Sequence, residues 1–183
     1  FLKDSFVDSS CYRMILSCHA SELILSALQG ISARSDDEVD LERTLLIETI
    51  TRIVKYGGKA ASNHLIGRLG LVSWVVSFLG GNDVKLALPT ADSRRAFLEL
   101  VWVVCQEAYS RLEVHSSENV FFEFRCLLQP ILAVVACLDD SSDDLVKELA
   151  SKVIFSLVSI IAEISTEPAV LIPTFSIGIQ AES

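Results

Sequence analysis

Four glycines divide the stretch from His64 to Asp83, HLIGRLGLVSWVVSFLGGND, and their placement constrains what the chain can build. A short helical piece reaches Gly67, and Gly70 interrupts it. A second apolar run, Leu71 to Leu79, stops at Gly80 and Gly81. Glycine has no Cβ, so it can take the left-handed turn that closes one helix and can let two backbones approach. Immediately upstream, residues 41–56 form a longer periodic helix ended by Gly57 and Gly58. A long, a short and an apolar helix separated by glycines is the layout of one armadillo- or HEAT-like α-solenoid unit.

The 183 residues suit one domain or a piece of a larger repeat array, and a first residue of Phe1 leads us to expect an excised segment. Hydrophobic residues make up 51% of the chain and the mean hydropathy is +0.46, enough for a large core or for a membrane protein. Length decides between them. The longest uncharged apolar stretches, residues 126–138 and 153–162, fall short of the roughly 20 residues that cross hydrocarbon. Arg125, Lys152 and Glu163 bound them closely. Buried solenoid helices are therefore the expectation, with no membrane contact.

Formal net charge is −9. Affinity for nucleic acid comes mostly from neutralising phosphate with a basic excess, so this balance argues against direct RNA binding and for protein partners. The five cysteines (Cys11, Cys18, Cys105, Cys126 and Cys137) are odd in number, and most lie within apolar helical patterns. They read as small buried hydrophobes in a reducing, intracellular compartment.

In chain order, apolar spacing predicts helix over residues 10–28, as one helix or two with a start at Ser21 and Glu22, ended by Gly30. Residues 32–40 read as an acidic loop leading to the helix at 41–56. That helix is expected to bury Leu41, Leu45, Leu46, Ile50, Ile53 and Val54 and to expose Arg43 and Thr49 among its polar residues. Residues 83–90 read as a loop, since Pro89 disfavours helix at Leu88. A long helix capped by Asp92 or Ser93 follows, apolar on several sides and hence central. The next helix, 118–138, contains Pro130 and should kink or split there. A final helix, 145–164, carries a polar face of Lys147, Glu148, Ser151, Lys152, Ser156, Ser159 and Glu163. Residues 1–164 thus form the helical-repeat domain, and residues 165–183 an extended apolar tail that docks on the helices or on a partner, with Phe175 as its anchor. The fold class is all-α, an armadillo/HEAT-like α-solenoid segment of about six to eight helices.

No catalytic constellation is present. His19, His64 and His115 fall in separate predicted elements, and no nucleophile elbow occurs. Gly57-Gly58-Lys59 lacks the upstream glycine, the following Ser or Thr and the preceding strand of a phosphate loop. The DDSSDD turn at 139–144 has neither the central Gly nor the closing Glu of a calcium loop, and the cysteine spacings match no zinc knuckle. We therefore expect no metal, no cofactor and no small-molecule substrate. Trp74 and Trp102 lie among aliphatic residues at helical spacing, which points to core. One local basic cluster departs from the acidic balance: Arg52, Lys55, Lys59, His64 and Arg68 gather around one helix end, as a solvated rim or as a contact for an acidic partner or RNA.

The run Gly70-Leu71-Val72-Ser73-Trp74, with the helix and loop before it, resembles the C-terminal region of the nucleolar pre-ribosomal-associated protein family, most clearly over residues 41–79. Its members are very large helical-repeat proteins of the nucleolus. The resemblance implies a non-enzymatic scaffold within large-subunit precursors, contacting assembly factors and adjoining repeats of a longer chain, and located in the nucleolus or nucleus. The alternatives are an armadillo-type adaptor for a peptide or cargo outside the nucleolus and, in another class, a helical enzyme.

Overall fold

The computed structural model describes residues 19–31, 37–80, 83–112, 118–138 and 144–166, and every regular element among them is helical. They are α1 (Ala20–Ile31), α2 (Asp37–Tyr56), α3 (Gly58–Ser62), a π-helical turn (Asn63–Arg68), α4 (Leu71–Gly80), α5 (Val84–Ala87), α6 (Ala91–Leu112), α7 (Glu118–Ala136) and α8 (Asp144–Thr166). The expected tail with Phe175, the expected helix over residues 10–18, His115 and the turn at 139–143 lie outside the described residues.

The centre is α6. It packs most extensively against α2 on one side and α8 on the other, while α7 packs against α4 and α8. Phe97, Leu98, Leu100, Val101, Val104 and Cys105 of α6 are essentially inaccessible, as its all-round apolar sequence led us to expect. A ladder of rings ties α4 to it: Trp74 and Phe78 stack with centroids 5.1 Å apart, and Phe78 and Phe97 follow at 5.8 Å. Trp74 is buried, as expected, and its helix packs chiefly on α7. Trp102 is only half-buried.

The glycines act where the sequence placed them. Gly57 N–H closes α2 on the Ile53 carbonyl at 2.9 Å, and Gly58 turns with φ +68°. Gly70 has φ +65° and separates the π-helical turn from α4.

Several expectations need correction. Helix α2 starts at Asp37, so residues 37–40 form its first turn instead of a loop. Its buried face holds the expected Ile50, Ile53 and Val54, with Leu46 packed against them, but not the first two leucines. Leu41 and Leu45 are 63% and 44% exposed, whereas Arg43, at 1%, is among the most buried side chains, joined by Asp40, Thr44, Ile47, Thr49 and Thr51. Thr44, Thr49 and Thr51 satisfy their hydroxyls on the carbonyls of Asp40, Leu45 and Ile47 at 2.7–2.8 Å, which lets them face inward.

The expected loop at 83–90 contains the short helix α5, capped by the Asp83 carboxylate on Lys85 N–H at 3.0 Å. Leu88 is non-helical (φ −135°, ψ 72°), as the proline after it requires. Thr90 caps α6 in place of Asp92 or Ser93. Its Oγ1 accepts from Ser93 N–H at 3.1 Å while Ser93 Oγ accepts from Thr90 N–H at 3.2 Å, a reciprocal box. Pro130 lies within a single continuous α7. Helix α1 runs through Gly30 to Ile31, and the outward side of α8 carries exposed Leu145, Phe155 and Val158 beside its polar residues.

Candidate functional site

Two helices far apart in sequence form a groove because a buried network fixes their alignment. Arg43 of α2 donates from Nη1 to the Ala87 carbonyl at 2.8 Å and lies 3.4 Å from the Asp40 carboxylate. Asp40 in turn accepts from the Thr90 hydroxyl at 2.6 Å, tying the start of α2 to the start of α6. Burial lowers the pKa of the Arg43 guanidinium, and the Asp40 carboxylate opposes that shift. Farther along, Lys55 Nζ lies 4.0 Å from Glu99, and Ser62 Oγ donates to Glu107 at 3.0 Å. Positions rise together on both sides, so α2 and α6 run parallel.

Their outer surfaces enclose a groove of about 280 Å³. Helix α2 supplies Glu48, Thr51, Arg52, Lys55 and Tyr56, and α6 supplies Arg95 and Glu99. Lys55 lies 5.5 Å from the Tyr56 ring centroid, and Tyr56 is 52% exposed. Three cations, two carboxylates and one aromatic ring thus line a surface open to a partner. Its chemistry suits recognition of charged and extended groups, since arginine presents a planar fork of donors.

The residues of the basic cluster read from the sequence have different surroundings. Arg52 and Lys55 enter the groove, while Lys59 and Arg68 are exposed elsewhere. His64 turns toward α1, where its Nε2 is 3.3 Å from Glu22 Oε1 and His19 Nδ1 is 3.4 Å from the same oxygen. His19 and His64, expected far apart, therefore share one carboxylate. The pKa of Glu22 is lowered, first by a hydrogen bond from its own backbone N–H and then by the two histidines, against a desolvation effect. The adjacent Ser21 hydroxyl is buried and hydrogen-bonded to neither ring.

Tyr56, Arg95 and Glu99 escaped the reading of the sequence. Nothing local marks them, because the groove exists only once α2 and α6 are aligned. Among the described residues no group of three His, Cys, Asp or Glu side chains could hold a metal ion, and no helix is long and apolar enough to cross a membrane. Cys105 is buried and its thiol is pushed up to about 12 by desolvation, while Cys126 and Cys137 are half-buried. No protein family, curated protein or solved structure matches this chain in comparison.

Proposed function

We propose that the chain is a non-enzymatic helical-repeat scaffold that works by presenting a rigid surface to other proteins. One observation carries this reading. Side-chain hydrogen bonds that cross between neighbouring helices join residues 44 and 50 apart where α2 meets α5 and the start of α6, 45 apart where α3 meets α6, and 50 apart where α6 meets α8. A recurrent offset of this size, with parallel α2 and α6, is what stacking of helical repeats about 40–47 residues long produces. In such an array each unit contacts only its neighbours, and the stacked helices hold an extended surface. The armadillo/HEAT-like solenoid belongs to this proposal.

The resemblance of Gly70–Trp74 and the preceding helix to the nucleolar family supports a place for this scaffold in nucleolar assembly of the large ribosomal subunit. The net charge of −9 favours protein partners within those particles over direct rRNA contact. Affinity purification of the tagged chain from cells, followed by mass spectrometry, tests the reading. Co-recovery of large-subunit assembly factors is the expected result, and their consistent absence would overturn it.

The groove between α2 and α6 favours a second reading, an armadillo-type peptide or cargo adaptor outside the nucleolus. Partners from other compartments in the same purification, recovered without assembly factors, would select it.

A further inference from the structure

We propose that the groove between α2 and α6 is a docking seat for an extended acidic segment of a partner protein, a site that deepens and rests on the scaffold reading. The chain as a whole is acidic, with net charge −9, yet Arg52, Lys55 and Arg95 converge on this one groove. The contacts of Lys55 and Arg95 are of a kind that exchanges readily. Lys55 and Glu99 are 4.0 Å apart with side chains 42% and 43% exposed, and Arg95 is 3.5 Å from Asp92 with both more than half exposed. Exposed pairs of this type contribute little net stability. A partner carboxylate that takes over an arginine replaces one anion with another and forms a charge-assisted, two-pronged contact.

The layout selects an extended chain. Arg52 and Lys55 lie one turn apart on the α2 wall and Arg95 stands on the α6 wall. Side chains of an extended peptide alternate from side to side, so successive carboxylates address the two walls in turn. Tyr56 marks one end, and the exposed Leu41 and Leu45 lie on the same side of α2 toward the other. An acidic segment with apolar flanks therefore matches the groove along its length. The net charge of −9 works against a nucleic-acid strand, whose long run of phosphates would meet acidic surface beyond the groove.

The test uses fluorescein-labelled decaglutamate, decalysine and a ten-nucleotide uridine RNA, titrated against the whole chain by fluorescence anisotropy at low and physiological salt. Saturable decaglutamate binding is expected, weakened about tenfold or more by R52Q/R95Q and unchanged by K59Q/R68Q. Circular-dichroism melting establishes that each variant is folded, and R52K/R95K provides a charge-preserving control that should restore part of the affinity. No saturable decaglutamate binding, equal losses from both double substitutions, or tighter binding of RNA or decalysine would each overturn the proposal. Purification from cells with R52Q/R95Q separates it from the scaffold reading. Loss of partners held by the unaltered chain supports the seat, and full retention overturns the seat alone. Failure of the unaltered chain to recover any assembly factor sinks the scaffold reading instead.

Discussion

Arg43 Nη1 meets the carbonyl oxygen of Ala87 at 2.8 Å across 44 residues of sequence, inside a core where both side chain and carbonyl have left water behind. Removing the guanidinium strands the 5%-exposed Asp40 carboxylate and the Ala87 carbonyl. Arg43→Ala is expected to destabilise the fold by about 3–5 kcal/mol, read as a shift in the urea midpoint. Arg43→Met with Asp40→Asn, which deletes the charge pair and fills the space, should recover much of that loss. Equal stability of the single and double variants would show that the pair carries no such strain.

Trp74 ends a ladder of stacked rings. Trp74→Ala should cost about 3–5 kcal/mol through lost packing and a cavity. A double-mutant cycle with Phe78→Leu isolates the stacking at 5.1 Å, for which a coupling of about 0.5–1.5 kcal/mol is expected. An unchanged melting temperature for Trp74→Ala would mean that the ring is not part of the core.

Gly70 and Gly67 should respond to alanine with opposite signs. At Gly70 an added Cβ meets nothing closer than Ser73 Cβ at 3.8 Å, so the penalty is conformational. Holding a non-glycine residue at φ +65° costs about 1–2 kcal/mol. At Gly67 the backbone is helical with nothing within 4 Å of the new methyl, and alanine should stabilise by about 0.5–1 kcal/mol. Thermal melts of the two variants settle both signs.

Glu22 gives the fold an acid-sensitive element. Its folded pKa lies below the ordinary value of 4.5, chiefly through its backbone hydrogen bond and then through His19 and His64. A depressed carboxylate adds stability that is fully present above the unfolded value and lost as pH falls through the folded one. The stability gap between the unaltered chain and Glu22→Gln should therefore shrink as pH falls below about 4.5. Denaturant midpoints of both proteins from pH 7 to pH 3 provide the measurement, and a gap that widens in acid would contradict this assignment.

What the sequence disclosed depended on how local the cause was. Gly58 and Gly70 announce their turns because the absence of a Cβ acts at the residue itself, and the central place of α6 follows from its all-round apolar composition. The second half of α2 sorts as its sequence indicates, but its first half does not, because leucine at 41 and 45 and arginine at 43 invert the usual sorting. Burying Arg43 makes sense only once Asp40, Ala87 and Thr90 have gathered around it. The candidate site was half legible for the same reason. Arg52 and Lys55 stand in one stretch of sequence, but their opposite wall, Arg95 and Glu99, arrives through tertiary alignment, and His64 is drawn away by Glu22.

The π-helical turn Asn63–Arg68 has one further consequence. Leu69 N–H bonds to the His64 carbonyl at 2.9 Å, five residues back, so the backbone there accommodates one residue more than an α-helical count needs. That residue is a spare. Deleting the exposed Asn63 can restore ordinary winding while leaving the phase of α4 nearly unchanged, and its melting temperature should fall little. Deleting Glu48 has no such slack to draw on. It rotates the rest of α2 by about 100° and swings Ile50, Ile53 and Val54 out of the core, which should abolish the cooperative melt. Tolerance to shortening is thus expected to be sharply uneven along the chain, concentrated where the helix is already overlong.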